Sequence, residues 1–314
     1  FKHATSRKAQ VLFLDNESKV IGQDLVIFPI QRQNQLYKPK KTTKHDYTLI
    51  FHHIEKTAGT TIRDILLRQY EPEETYFIYN GEPLFRGFED FKMLSDYQKR
   101  KIRIIYGHNT FQAPKYFSTP YKCCAFLRDP LKRLFSLYYF ILRHKGTPLH
   151  TILHEKKYTF TDFVTSGCYI QTDNSLVRKL SGVKFKFGEC RKDFVEMAKQ
   201  NIIDNYPVIG VVERFDESIL MMRRVFCWRT PFYTKANVAW NKTDTRNLKK
   251  QDLDLINKHI KYDNELYSYA NKFLDDLIKE EGDSFQKELE EFNKVNSLSR
   301  KWLKDTDAGS WTVA

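Results

Sequence analysis

Three short apolar runs in the first half of the chain break off abruptly into small, basic or turn-forming residues. Ile50 to Ile54 runs into Glu55-Lys56-Thr57-Ala58-Gly59-Thr60-Thr61, Arg103 to Tyr106 ends in Gly107-His108, and Lys122 to Leu127 ends in Arg128-Asp129-Pro130. Apolar runs of this length, bounded by turn signals, predict buried strands. Two of them give way to helical spacing. Ile62 to Gln69 is amphipathic, with Thr60 and Thr61 expected to cap it. Pro130 suits the first turn of a helix in which Leu134, Leu137, Tyr138 and Ile141 recur as core positions, while Tyr139 and Phe140 fit core or site equally. From Thr245 onward, Leu253, Ile256, Ile260, Leu266, Tyr269, Phe273 and Leu277 predict the packing faces of helices, and Ser284 to Lys304 predicts a charged helix. The pattern predicts an α/β domain with a central, mainly parallel sheet flanked by helices. Its divisions are an arm at 1–45, where Leu25 to Ile30 precedes the linker-like Lys38-Pro39-Lys40-Lys41, a core at 46–245, and a helical C-terminal extension at 246–314 packing on that core.

The first strand-to-helix loop has the composition of an anion site. Ala58 and Gly59 let the backbone approach a ligand closely, Lys56 adds a full charge, and the hydroxyls of Thr60 and Thr61 add donors. A helix N-terminus supplies unpaired N–H groups and the positive end of a dipole. The order of residues excludes a Walker A loop, in which the lysine follows the glycines; here Lys56 precedes them. In the second loop, Arg128 at the strand end and Ser136 two helical turns on would place a guanidinium and a hydroxyl on one terminal phosphate. His108 ends the intervening strand, on the rim where open α/β sheets bind their ligands.

Lys56-Thr57-Ala58-Gly59-Thr60-Thr61 after a hydrophobic strand resembles the 5′-phosphosulfate loop of sulfotransferases that use 3′-phosphoadenosine 5′-phosphosulfate (PAPS). Arg128-Asp129-Pro130, with Ser136 eight residues after the arginine, resembles the 3′-phosphate motif of the same enzymes, about seventy residues further along the chain. Gly107-His108-Asn109-Thr110-Phe111 is similar to the strand-end histidine of the heparan sulfate 2-O- and 6-O-sulfotransferases, whose matching histidine is the catalytic base. The resemblance covers roughly residues 46 to 280 and implies a P-loop-like sulfotransferase fold. It implies a PAPS site on Lys56, Thr57, Ala58, Gly59, Thr60, Thr61, Arg128 and Ser136, with His108 and Lys56 as catalytic residues. Asn205 to Ser218 looks like the strand-turn-helix past the middle of that core, and Tyr262 to Tyr267 also looks familial. Tyr169 to Asn174 and Trp240-Asn241-Lys242-Thr243 sit where relatives place residues around cofactor or acceptor, which adds Asn241 and Thr243 to the cosubstrate set; ordinary core and loop is the alternative for all four segments. Glu55 departs from the family, which commonly has proline or another uncharged residue there. A carboxylate beside an anion site repels the ligand unless it points away or pairs with a base, and Glu55 is also a rival to His108 as proton acceptor.

The implied reaction moves a sulfuryl group from PAPS to a hydroxyl of a saccharide, the expected partners being polysaccharides or glycosaminoglycan-like chains, and leaves 3′-phosphoadenosine 5′-phosphate. An imidazole titrating near neutrality suits removal of the hydroxyl proton. Two other classes stay open: a nucleotide-dependent phosphotransferase, which would need Mg²⁺ and ATP, and a non-catalytic polyanion-binding protein of the same fold. The excess of 52 Lys and Arg over 39 Asp and Glu gives a formal charge of +13 in 314 residues, which favours an anionic partner. No zinc-finger spacing or nucleic-acid motif accompanies that charge, and no His/Cys cluster calls for a metal. The 24 Phe and 18 Tyr supply core and sugar-stacking material. No run approaches the roughly twenty apolar residues of a membrane-spanning helix. Cys123 and Cys124, adjacent in a buried strand, suit free thiols in a reducing compartment, so cytoplasm is the preferred location. Sequons at Asn16 and Asn241, and a start at Phe1 rather than methionine, fit the alternative of a Golgi lumen with an upstream anchor removed.

Overall fold

The structure is a computed structural model that describes residues 10–14, 20–25, 46–79, 87–233 and 248–305. The chain divides after His45 into two units. The first holds an antiparallel pair, β1 (Gln10–Leu14) and β2 (Val20–Leu25). Asn241 and Thr243, expected at the cosubstrate, lie outside the described residues.

The second unit is built on five parallel strands: β3 (Thr48–His52), β4 (Thr75–Ile78), β5 (Ile104–Gly107), β6 (Tyr121–Leu127) and β7 (Val208–Val211), in the spatial order β4-β5-β3-β6-β7. Every residue of β3, β5 and β7 is buried, which is why these strands read as unbroken apolar runs rather than alternating ones. The all-parallel arrangement bears out the expected sheet. β3 pairs with β5 on one side and β6 on the other, His52 lying opposite both Gly107 and Ala125. The chain leaves β3 toward β4 and leaves β6 toward β7, so these neighbours form the point where strand order reverses. Their carboxyl ends open the crevice in which such sheets bind ligands.

The helix after β3 is α1 (Gly59–Leu66), and it corrects the expected cap. Its N-cap is Ala58, held in the left-handed region at φ 65° with no side-chain cap, and Thr60 and Thr61 lie inside the first turn. The N-terminus of α1 therefore begins directly at the loop, with no side-chain cap from its N-cap residue. Two short helices follow, α2 (Phe88–Met93) and α3 (Asp96–Lys101). The helix after β6, α4 (Pro130–Arg143), starts as expected: Pro130 is in the first turn and Asp129 accepts from the Lys132 N–H at 2.8 Å. Leu134, Leu137 and Ile141 are buried, and Tyr138 is half-buried with its hydroxyl donating to the Tyr158 carbonyl at 2.9 Å. This face packs on α5 (Pro148–Glu155) and α6 (Phe160–Thr165), where the Phe135 and Phe160 rings stack at 3.7 Å.

The remaining helices are α7 (Ser175–Ser181), α8 (Lys192–Asn205), α9 (Phe215–Phe226), α10 (Lys250–Glu281) and α11 (Asp283–Asp305). α10 buries Ile256, Ile260, Leu266, Ala270, Leu274 and Ile278, so the face predicted through Leu277 turns instead through Leu274 and Ile278. Midway along α10 a side chain enters the backbone ladder. Asn174 Oδ1 accepts from the N–H groups of Tyr262 (3.0 Å) and Asp263 (3.2 Å), while the Asn174 N–H donates to the His259 carbonyl at 2.7 Å. In return Asp263, fully buried, accepts from the Val177 N–H in the first turn of α7 at 3.0 Å. The Tyr169-to-Asn174 and Tyr262-to-Tyr267 segments thus lock α7 to α10. Cys123 and Cys124 are buried free thiols, which burial pushes well above the ordinary thiol range, Cys123 to about 12.

Candidate active site

Main-chain geometry brings the two loops together. Lys56 and Ala58 both take positive φ, 68° and 65°, so the backbone coils tightly between β3 and α1. The Thr57 hydroxyl turns inward and donates to the Ile54 carbonyl at 2.8 Å, fastening the coil to the strand. Arg128, at the end of β6, donates through Nη1 to the Lys56 carbonyl at 3.1 Å, while its Nε is buried without a hydrogen-bond partner. A half-buried guanidinium with an unused donor, beside a lysine and the N-terminus of α1, fits an anionic ligand. Burial pushes Lys56 down to about 8, and the nearby charges of Arg143 and Arg128 push the same way. Its Nζ rests 4.0 Å from the centroid of the exposed Phe140 ring, a cation–π contact that gives Phe140, undecided from sequence, a place at the site. Ser136 is half-buried on α4, two turns beyond Arg128.

His108 follows β5, and its orientation is fixed by one contact. Nδ1 lies 2.9 Å from the His53 carbonyl. A carbonyl only accepts, so Nδ1 carries the proton and Nε2 of the neutral ring keeps its lone pair. His108 stacks on the His53 ring at 4.0 Å, and the Tyr79 ring meets it edge-on at 5.1 Å. His53 is held in turn by the Tyr79 hydroxyl at 3.0 Å and by stacking on Tyr106 at 5.2 Å. Burial, then the proximity of His108, keeps His53 well below the usual histidine range, so it is a neutral wall of the site. Its Nε2 lies where a Cβ on Gly59 would be, 1.6 Å from that position, so only glycine fits there. Tyr106 closes the floor by donating to the Gly59 carbonyl at 2.7 Å. His52 is structural: it is buried, its Nδ1 is 2.8 Å from the Thr110 hydroxyl, and burial lowers it to about 3.

Glu55 does not confront the anion loop alone. Its carboxylate pairs with Lys179 of α7, Nζ lying 3.0 Å from Oε2 and 3.1 Å from Oε1. Burial raises its pKa, but Lys179 and His108 outweigh burial and hold it below the usual carboxylate range. Sequence reasoning missed Lys179, which is distant in the chain, and assigned no role to His53. The signal for His53 was its place next to the loop, at the end of a strand whose His52 is already committed to the interior. Among the described residues no group of three or more His, Cys, Asp or Glu could hold a metal, and no helix is long and apolar enough to cross a membrane.

A loop of small residues after β3 and an arginine-led helix after β6 thus meet at the carboxyl edge of the parallel sheet. Residues 40–270 match the model of the sulfotransferase family, and the chain belongs to that family. It is 23% identical over 257 residues to heparan sulfate 2-O-sulfotransferase 1 of Xenopus laevis, covering 72% of this chain and 70% of that protein. The expected membership of the sulfotransferase family is thereby borne out.

Proposed function

We propose that the protein transfers a sulfuryl group from PAPS to a hydroxyl of a saccharide acceptor, with His108 as general base. The observation that carries this reading is the hydrogen bond from Arg128 to the Lys56 carbonyl, which gathers residues 72 positions apart around one helix N-terminus. Lys56, the main chain of Thr57 to Thr61 and the first turn of α1 would hold the 5′-phosphosulfate; Arg128 and Ser136 would hold the 3′-phosphate. Asn241 and Thr243 belong to the proposed cosubstrate set on sequence grounds alone. The acceptor is proposed to be a saccharide chain carrying negative charge, from the similarity to a heparan sulfate enzyme and the formal charge of +13.

With Nδ1–H committed to the His53 carbonyl, His108 Nε2 is the atom available to take the acceptor's hydroxyl proton. The acceptor oxygen then forms a bond to sulfur as the bond from sulfur to the phosphate oxygen breaks, the electron pair leaving on 3′-phosphoadenosine 5′-phosphate. Lys56 and the loop N–H groups oppose the charge that grows on that oxygen, and Arg128 keeps the nucleotide in register. The test is transfer of radiolabelled sulfate from PAPS into desulfated glycosaminoglycans and simple glycans, with ATP and Mg²⁺ in parallel. Labelling from PAPS without added metal is expected. His108→Ala should lose about 10²- to 10⁴-fold in kcat while keeping nucleotide affinity, and Lys56→Ala should lose both. Full activity in His108→Ala would remove the histidine from the mechanism.

A further inference from the structure

Glu55 is the one acidic side chain of the loop, and its surroundings give it a use. Its Oε1 lies 3.9 Å from His108 Nδ1, on the edge of the ring that already donates to the His53 carbonyl. The same carboxylate is in ion-pair contact with Lys179, whose Nζ lies 3.1 Å from Oε1 and 3.0 Å from Oε2. Its ring contacts are His53, stacked on its face and held well below the usual histidine range, and Tyr79 at its edge, while the charges of Lys179, Arg63 and Lys56 also reach His53 of this stacked pair. When Nε2 takes a proton, the new cation has the Glu55 carboxylate beside it, fixed in place beforehand.

We propose that Glu55 is a positioning residue for the transfer, its carboxylate, paired with Lys179, facing the Nδ1 edge of His108 and stabilising the imidazolium formed when Nε2 accepts the acceptor's proton. The inference rests on His108 being the base. The two partners of Glu55 divide the work. Before transfer, Lys179 cancels the carboxylate's charge, so an anionic cosubstrate meets no net repulsion from it. During transfer, the proton arriving on His108 creates a second cation beside Glu55, and a fixed charge at this distance acts without reorganising. The two partners thus predict different kinetic signatures for their removal.

Glu55→Gln keeps the shape of the side chain and removes its charge. It is expected to lower kcat about tenfold or more, with KM for PAPS unchanged or reduced, because a negative charge near the anion loop is also lost. Glu55→Asp, which keeps the charge, should recover part of that kcat. Lys179→Met leaves the carboxylate uncompensated and is expected to raise KM for PAPS about tenfold with a smaller effect on kcat. In a His108→Ala background Glu55→Gln should have no further effect, since there is no imidazolium to stabilise.

Calorimetric binding of 3′-phosphoadenosine 5′-phosphate to each variant reports whether the loop is intact. A Glu55→Gln variant that binds this nucleotide poorly would identify Glu55 as a strut of the loop and overturn the inference. So would a kcat within about twofold of wild type while His108→Ala is inactive, an outcome that leaves the base itself standing. An equal loss from Glu55→Gln in both backgrounds also overturns it. Full activity in His108→Ala would sink the base and this inference together.

Discussion

Replacing Gly59 with alanine puts one methyl group where the His53 ring already lies. The new Cβ would be 1.6 Å from Nε2, 2.2 Å from Cδ2 and 2.3 Å from Cε1. Carbon contacts settle near ~3.5 Å, so the ring must retreat by about 2 Å. It has no free direction, being tied to the Tyr79 hydroxyl at 3.0 Å and stacked against Tyr106 and His108. Overpacking of this kind costs about 1–3 kcal/mol, against a gain below ~1 kcal/mol from exchanging glycine for alanine in a helix. At about 2–4 °C per kcal/mol for a domain of this size, the net loss corresponds to a fall of several degrees in Tm. The effect on turnover should be larger, because a displaced His53 moves the ring and the carbonyl that orient His108, and a misplacement near 1 Å costs on the order of 10²-fold. Differential scanning calorimetry and the radiolabel assay measure the two losses. The decisive comparison is made in a His53→Ala background, where the space is vacant and Gly59→Ala should become neutral or stabilising. A Gly59→Ala protein with wild-type Tm and kcat, or one equally damaged with and without His53, would refute the reasoning.

Arg128→Ala should weaken binding of 3′-phosphoadenosine 5′-phosphate roughly ten- to a hundredfold while leaving adenosine 5′-phosphate nearly unaffected, and Ser136→Ala should do the same more weakly; calorimetry with both nucleotides checks it. Because Lys56 is held near 8 and only its protonated form attracts phosphate, nucleotide affinity should be steady near neutrality and fall as pH rises through about 8, a decline that Lys56→Ala abolishes. Asp263 should set a stability slope. Burial raises it from 3.8 to about 6, so the folded state holds its proton more tightly than the unfolded chain, and stability declines as pH rises from 3.8 to about 6, by on the order of 3 kcal/mol in total. Asp263→Asn, which can still accept from the Val177 N–H, should flatten that slope in urea titrations between these pH values.

The elements that carry the proposed chemistry were readable because buried parallel strands leave unbroken apolar runs bounded by turn and basic residues. Ile50 to His53 before Lys56-Thr57-Ala58-Gly59, and Cys123 to Leu127 before Arg128-Asp129-Pro130, are of this kind. What the sequence hid was chosen by tertiary contact. Thr60 and Thr61 have the chemistry of caps, yet the left-handed turn at Ala58 starts the helix before them and places both inside its first turn. The Glu55–Lys179 pair joins residues separated by 124 positions, and no local pattern marks it. Gly59 looked like a glycine for ligand approach, but the nearest thing it accommodates is the ring of His53. Along α10 a helical period picks out the correct stripe for two turns at a time. The register that continues through Leu274 and Ile278, and the burial of a charged Asp263 in that stripe, depend on α7.

The entry of Asn174 into the ladder of α10 has a consequence for how the helix opens. The amides of Tyr262 and Asp263 are bonded to another segment of the chain, so their protons reach solvent only when α7 separates from α10, whatever the helix ends do. In native-state hydrogen exchange these two amides should therefore follow the opening of the α7 contact, and the turns on either side should exchange as separate units. The longest helix of the molecule, with no break in its secondary structure, would then behave in solution as two shorter ones joined at a clamp.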